Sequence, residues 1–150
     1  MNRYDDAIKI MNERFGRDMF ISIATMDGNR PSVRTVDGYY EDGAFYVVTY
    51  TLSNKMRQIE ANSEVAVCGE WFTAHGVGEN LGHVRDGRNA AIMAKLREAF
   101  AMWYNNGHVN EDDPNTCVLR VRLKNGVLVD HEQKYGAGRY EVDFVNRTAS

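Results

Sequence analysis

No uninterrupted run of apolar residues in this sequence reaches the roughly 20 needed to cross a bilayer as a helix. Residues 1–15 mix charges with apolar side chains and lack the apolar core of a secretory leader. Cysteine is scarce: Cys68 and Cys117 both fall in apolar, strand-like runs. They read as small buried thiols kept reduced, and their spacing does not suggest zinc. The expected location is therefore cytoplasmic, with no membrane partner. Positive charge is outnumbered, with 18 Lys and Arg against 21 Asp and Glu and a net charge of −3. That balance argues against a nucleic-acid partner, which needs clustered cations. His75, His83, His108 and His131 lack the spacing of a metal pair. No Gly-x-Ser-x-Gly elbow occurs, and Gly76-Val77-Gly78 lacks the third glycine of a dinucleotide fingerprint. Asp5-Asp6 and Asp112-Asp113 sit at a helix start and in a loop, where solvation explains them. No hydrolytic constellation is visible.

One local absence is more informative. No carboxylate lies between Ala44 and Gln58, while Lys55 and Arg57 add positive charge. Phe45 to Thr49 reads as a strand of aromatic and β-branched residues. Leu52, Met56 and Ile59 recur at i, i+4 and i+7, so a helix follows, with Ser53 as its N-cap. Helix starts favour Asp or Glu, because their free N–H groups and aligned dipoles make that end positive. An exposed cation there costs roughly 0.3–1 kcal/mol, and an external anion would reverse the cost. Thr49, Thr51, Ser53 and Lys55 thus form a candidate phosphate cradle. The alternative is a solvated basic helix with an ordinary serine cap.

At 150 residues the chain suits one domain with a sizeable core. Tyr4, Ala7, Ile8, Met11 and Phe15 mark one helix face, closed by Gly16. Met19 to Thr25 and Pro31 to Val36 read as strands around the Asp27-Gly28 turn. In the second, Val33 and Thr35 face one way and Ser32, Arg34 and Val36 the other, which makes Arg34 an ordinary exposed strand residue or a charge held toward a ligand. Val65 to Trp71 and Phe72 to Glu79 give two more strands, the latter bent at Gly76 and Gly78. Asn80 to Arg88 reads as a loop and Asn89 to Tyr104 as a helix with a broad apolar stripe. Thr116 to Leu123 alternates cleanly, Asn125-Gly126 carries the strongest hairpin-turn signal, and Val127 to His131 is its partner strand. Arg139 to Phe144 supplies a last strand. Six to eight mostly antiparallel strands with two or three helices suit a small closed barrel with helices outside it.

In this order the chain resembles the flavin-binding split barrels of the pyridoxamine 5′-phosphate oxidase-like family, and within it the general-stress-protein-like branch. The resemblance rests on Ile23-Ala24-Thr25 before a turn, Pro31-Ser32-Val33-Arg34-Thr35-Val36, and Thr49…Ser53-Asn54-Lys55…Gln58-Ile59 leading to Val65-Ala66-Val67. It implies a mainly β (α+β) fold, a six-stranded antiparallel split β-barrel with flanking helices. It also implies flavin mononucleotide (FMN) as cofactor, with its phosphate on Arg34 and on Ser53, Asn54 and Lys55. Thr35, Val36, Val48 and Thr49 match positions along the isoalloxazine and ribityl chain. Asn54 stands where the family commonly has arginine, which removes one charge. The resemblance further implies a homodimer with flavin at the subunit interface. Trp71, counted with the cofactor-binding residues, Trp103 and the Lys134-Tyr135 loop are the candidates for contacts across it. The Arg-x-His motif of the true oxidase is absent from the tail.

Two classes of function follow. One is a flavin-dependent oxidoreductase acting on a small molecule whose identity the sequence leaves open, since no side chain declares itself an acid or base. The other is a non-catalytic flavin carrier or redox sensor. Other branches hold the deazaflavin F420 or haem in the same barrel, which keeps those ligands as alternatives.

Overall fold

The computed structural model describes residues 2–150. Helix α1 (Tyr4–Phe15) comes first and carries Asp5 and Asp6 in its first turn and Arg14 in its last, each suited to the dipole it meets. It buries Tyr4, Ala7, Ile10, Met11 and Phe15, so Ile10 takes the fully buried place expected of Ile8. Its C-terminal Phe15 packs edge-on to Phe45 at 5.5 Å and tilted against Phe72 at 5.6 Å, which anchors the helix in the barrel core. Fully burying each such ring contributes on the order of 1.5–3 kcal/mol.

Strands β1 (Met19–Asp27), β2 (Arg30–Glu41), β3 (Ala44–Tyr50), β4 (Glu64–Gly69), β5 (Phe72–His83) and β6 (Thr116–Val129) form an antiparallel sheet in the order β3-β2-β1-β4-β5-β6. Pairing of β3 with β6, from Ala44↔Arg122 to Tyr50↔Thr116, closes it into a six-stranded barrel. Strands β7 (Arg139–Asp143) and β8 (Thr148–Ala149) extend the sheet beyond β6. Helix α2 (Asn54–Ala61) joins β3 to β4, and α3 (Ala90–Ala99) with the short turn α4 (Ala101–Trp103) lies between β5 and β6. The fold is thus an α+β six-stranded barrel with two extra strands and flanking helices. Among the described residues, no helix is long and apolar enough to cross a membrane.

Closure is uneven, and the unevenness positions the site. Strands β2 and β3 pair only over Tyr39↔Tyr46, Tyr40↔Phe45 and Glu41↔Ala44. Beyond Tyr39 and Tyr46 they part, β2 staying with β1 and β3 with β6. Arg34, Thr35 and Val36 lie on one lip of this split, and Val48 and Thr49 on the other.

Four sequence expectations need correction. Asn125-Gly126 is not a hairpin turn; β6 runs through it and pairs with β5 on one edge and β7 on the other. The register shift opposite His75 and Gly76 leaves Lys124 as a bulge residue, and a Cβ on Gly126 would stand 2.7 Å from the Thr73 carbonyl oxygen. The glycine is there for close approach of two strands, not for a turn. Cys68 is exposed rather than buried, because the alternation that turns Val65 and Val67 inward turns Cys68 out; only Cys117 is buried. The stretch read as a loop from Asn80 extends β5 as far as His83. The helix expected to run unbroken to Tyr104 breaks at Phe100, where φ −94° and ψ 14° leave the helical region.

Candidate functional site

The first turn of α2 meets the β2–β3 split. Ser53 takes extended geometry (φ −67°, ψ 157°) and its Oγ accepts from the Met56 N–H at 3.3 Å, an N-cap as expected. Further back, the Thr51 N–H donates to the Asn115 carbonyl at 2.7 Å and the Ser53 N–H to Tyr50 at 3.0 Å, which fixes the path from strand to helix. The first helical N–H groups have no carbonyl one turn behind them and face outward from this end. No carboxylate stands in the first turn.

Lys55 is buried at 7% exposure, unusual for lysine. Its Nζ donates to Thr49 Oγ1 at 2.6 Å, and among the described residues no carboxylate comes within ion-pair reach. Burial holds its pKa below the ordinary lysine value, and the charge of Arg34 pushes the same way. Arg34 is half-buried, not an ordinary exposed strand residue. Its Nη1 donates to Thr25 Oγ1 at 2.7 Å and its Nη2 to Gln58 Oε1 at 3.0 Å and Ser32 Oγ at 3.2 Å. Thr25 Oγ1 in turn donates to Gln58 Oε1 at 2.5 Å. Burial lowers the Arg34 pKa, yet guanidinium stays charged. Two like charges therefore share a desolvated corner held by neutral acceptors. Such a corner is costly alone and suits an anion.

The structure brings Arg34, Thr49, Ser53 and Lys55 together. Asn54 is exposed on the same helix turn, Thr35 is exposed and Val36 half-buried on the β2 lip, and Val48 packs beneath α3. Trp71 is placed elsewhere. It lies in the β4–β5 turn, while the register Ser22↔Cys68 and Ile23↔Arg34 sets Arg34 several residues further along β1. At about 3.3 Å per residue the two are on the order of 15 Å apart along the strands. Trp71 takes φ 52°, is 60% exposed and meets the His131 ring edge-on at 4.4 Å.

Sequence reasoning did not single out Thr25 and Gln58 as site residues. The signal was present: Thr25 continues the inward row Ile21, Ile23 with a hydroxyl, and Gln58 stands one helical turn after Lys55. Thr25 is 2% exposed, so its hydroxyl needed a partner.

These features define a split β-barrel with a carboxylate-free cationic cradle at a helix start. A sequence profile described as pyridoxamine 5′-phosphate oxidase matches residues 9–130, and the chain belongs to that family. No curated protein matches it. Among solved structures it is similar to general stress protein 26 from Bacillus anthracis str. Sterne, at 17% identity and TM-score 0.60 over 83% of this chain and 92% of that one. It is also similar to a pyridoxamine 5′-phosphate oxidase-related, FMN binding protein from Nostoc punctiforme PCC 73102, at 16% identity and TM-score 0.60 over 100% and 95%. A third likeness is to an F420 reductase, at 19% identity and TM-score 0.59 over 77% and 94%.

Proposed function

We infer that the protein binds FMN in the β2–β3 split and serves as an oxidoreductase toward a small organic molecule. The carrying observation is Lys55, a buried cation with one neutral acceptor and no carboxylate, at the start of α2 and within electrostatic reach of Arg34. A phosphate dianion there would supply the missing countercharge and the acceptors for the Ser53–Lys55 turn. Arg34, held by Thr25 and Gln58, would meet it from the β2 lip. The parted edges of β2 and β3 offer free backbone groups to the rest of the cofactor. When bound, flavin supplies hydride or electron transfer; the chain supplies position, charge and exclusion of water.

Homodimerisation belongs to the same reading. The outer face of the sheet carries an open, largely apolar cavity of about 660 Å³ lined by Ala24, Val33, Ala66 and Val127, and Val33 is 68% exposed. A second copy is the occupant proposed for that face. Light scattering at micromolar concentration should give twice the 17.1 kDa of the chain.

The deciding experiment is the visible spectrum of freshly purified protein with calorimetric titration of FMN, riboflavin and F420. A flavin spectrum with FMN bound far more tightly than riboflavin is expected. Preference for F420 would replace the FMN reading, as the cradle's charge suits either phosphate-bearing ligand. Redox turnover with a reduced nicotinamide and an acceptor panel separates an enzyme from a flavin carrier.

A further inference from the structure

After Phe100 the chain leaves helical geometry and returns to the barrel. Gly107 takes φ 96°, a conformation that glycine adopts freely, and the residues after it run back past the end of β3. A cavity of about 330 Å³ lies there, with His108, Val109, Asn110 and Asp113 on one side and Val48 and Thr49 on the other. Thr49 belongs to two places at once. Its hydroxyl accepts from Lys55 at 2.6 Å in the cationic cradle, and it also lines this cavity. The cavity therefore adjoins the cradle.

The wall facing β3 is fixed in place. The Asn110 carbonyl accepts from Thr116 Oγ1 at 2.6 Å and from the Asp113 N–H at 3.2 Å. His83 Nδ1 accepts from the Arg85 N–H at 3.0 Å, so its Nε2 carries the proton and donates to the Asp113 carbonyl at 2.9 Å. Glu111 ties the same segment to Arg97 of α3 at 2.9 and 3.1 Å. A preformed wall costs a ligand little ordering. The polar side chains on it are nevertheless short of partners. Asp112 takes Arg85 at 2.7 Å, whereas Asp113 has no cation within ion-pair reach among the described residues. Asp113 Oδ1 accepts from the Asn115 N–H at 2.8 Å, and Oδ2 meets no donor among the described residues. Within the same limits the His108 ring and the Asn110 Nδ2 have no hydrogen-bond partner. Val48 and Val109 supply apolar surface beside them.

We propose that this cavity takes the pyrimidine edge of the flavin ring, with Asp113 accepting from the ring N3–H and His108 and Asn110 donating to the carbonyls on either side. That edge presents a donor between two acceptors, and the cavity offers an acceptor with donors beside it. The dimethylbenzene edge of the ring would strand all three side chains, at the cost of unpaired polar groups. The assignment rests on the flavin reading, with the phosphate at Lys55 and the ring beyond Thr49. It does not depend on the choice between FMN and F420, because a deazaflavin carries the same edge; haem does not. His108, Asn110 and Asp113 also lie far outside the Ile23–Val67 stretch that carries the family motifs.

The test compares FMN with N3-methylated FMN, in which a methyl group replaces the N3 proton, by calorimetric titration of the full chain. The wild type should bind FMN about tenfold or more tightly than the methylated form, the scale of a hydrogen bond to a charged group. Asp113→Ala should weaken FMN by about that factor and bring the two ligands level. Asp113→Asn keeps an acceptor oxygen for the ring and for the Asn115 N–H, so it should retain the preference. His108→Ala should weaken both ligands alike, by roughly threefold to tenfold, the scale of a neutral hydrogen bond. With isotope-labelled FMN followed by NMR, the N3 proton should exchange slowly with water in the wild type and fast in Asp113→Ala. If F420 binds in place of FMN, its own N3 proton is followed in the same two proteins. Equal wild-type affinity for FMN and its methylated form, or a preference that survives Asp113→Ala, would overturn the assignment and leave the phosphate site standing. Binding of neither FMN nor F420 would overturn both.

Discussion

Lys55 Nζ donates to Thr49 Oγ1 at 2.6 Å, tying the first turn of α2 to the last residues of β3 across one corner of the split. A buried ammonium with one neutral acceptor is poorly compensated. Its removal should therefore separate stability from binding. Lys55→Met keeps the length of the side chain and deletes the charge. The free protein is expected to be as stable as the parent or more so in urea unfolding. FMN affinity should fall by roughly 1.5–3 kcal/mol, the range for a hydrogen bond to a charged group, and riboflavin affinity should barely change. Equal losses for the two ligands would take Lys55 out of the phosphate contact.

Thr25 is the joint of the second corner. It accepts from Arg34 at 2.7 Å and donates to Gln58 at 2.5 Å, so one hydroxyl connects β1, β2 and α2. Thr25→Val preserves the shape and leaves Arg34 and Gln58 each short of a partner. The expected cost is about 1–3 kcal/mol of stability, the penalty for stranding buried polar groups. Denaturant midpoints at constant slope are the measure. A change within about 0.5 kcal/mol, the range of a neutral surface substitution, would show that water reaches this corner freely.

Acid sensitivity should arise at Glu111, which accepts from Arg97 at 2.9 and 3.1 Å and from the Tyr104 hydroxyl at 2.5 Å. Arg97 and the Tyr104 hydroxyl hold Glu111 down at about 2, below its ordinary 4.5. A depressed carboxyl adds stability that is present above the unfolded value and is lost as pH falls from about 4.5 through about 2. Glu111→Gln should cost about 1–2 kcal/mol at neutral pH, discounted for the partial exposure of Arg97, and flatten the acid limb of the stability curve. Thermal unfolding of both proteins between pH 2 and 7 checks this, with a parallel pair of curves as the contrary result.

Much of the barrel was legible because its strands alternate. Ile21, Ile23 and Thr25 inward, and Leu119, Val121 and Leu123 inward, are two-residue periods that set register as well as burial. The cradle was legible through a missing charge, since a helix start without Asp or Glu is a local fact of sequence. What escaped was decided by tertiary contact. Asn125-Gly126 has the composition of a two-residue turn, yet β5 and β7 flank it on both edges and the chain runs straight. The Arg34–Thr25–Gln58 network joins residues up to 33 apart, and no periodicity announces it.

The protein should not turn over pyridoxamine phosphate at a useful rate, and charge pairing gives the reason. A phosphorylated substrate needs its own cationic clamp beside the cofactor, because its phosphate must recover by charge-assisted bonds what it loses on desolvation. Within the cleft beneath α3, Arg88 is paired with Asp86 at 2.8 Å, Lys95 with Glu41, and Arg120 with Glu79 at 2.8 Å. Arg122 shares Glu79 at 3.0 Å, and Lys124 takes Glu64 at 2.8 Å. In the Lys134–Arg139 stretch, Lys134 meets Glu13 at 3.4 Å and Arg139 meets Glu141 at 3.5 Å. By contrast Arg34 and Lys55 have only neutral partners, and the cofactor phosphate would fill the site they form. A second phosphate held by these cations would have to break an existing ion pair. Surface pairs are worth only about 0–1 kcal/mol each, which would permit weak binding but not a preorganised clamp. Anaerobic mixing of flavin-loaded protein with pyridoxamine phosphate should leave the flavin absorbance unbleached. Rapid bleaching, followed in air by repeated formation of pyridoxal phosphate, would mean that these ion pairs open for the substrate.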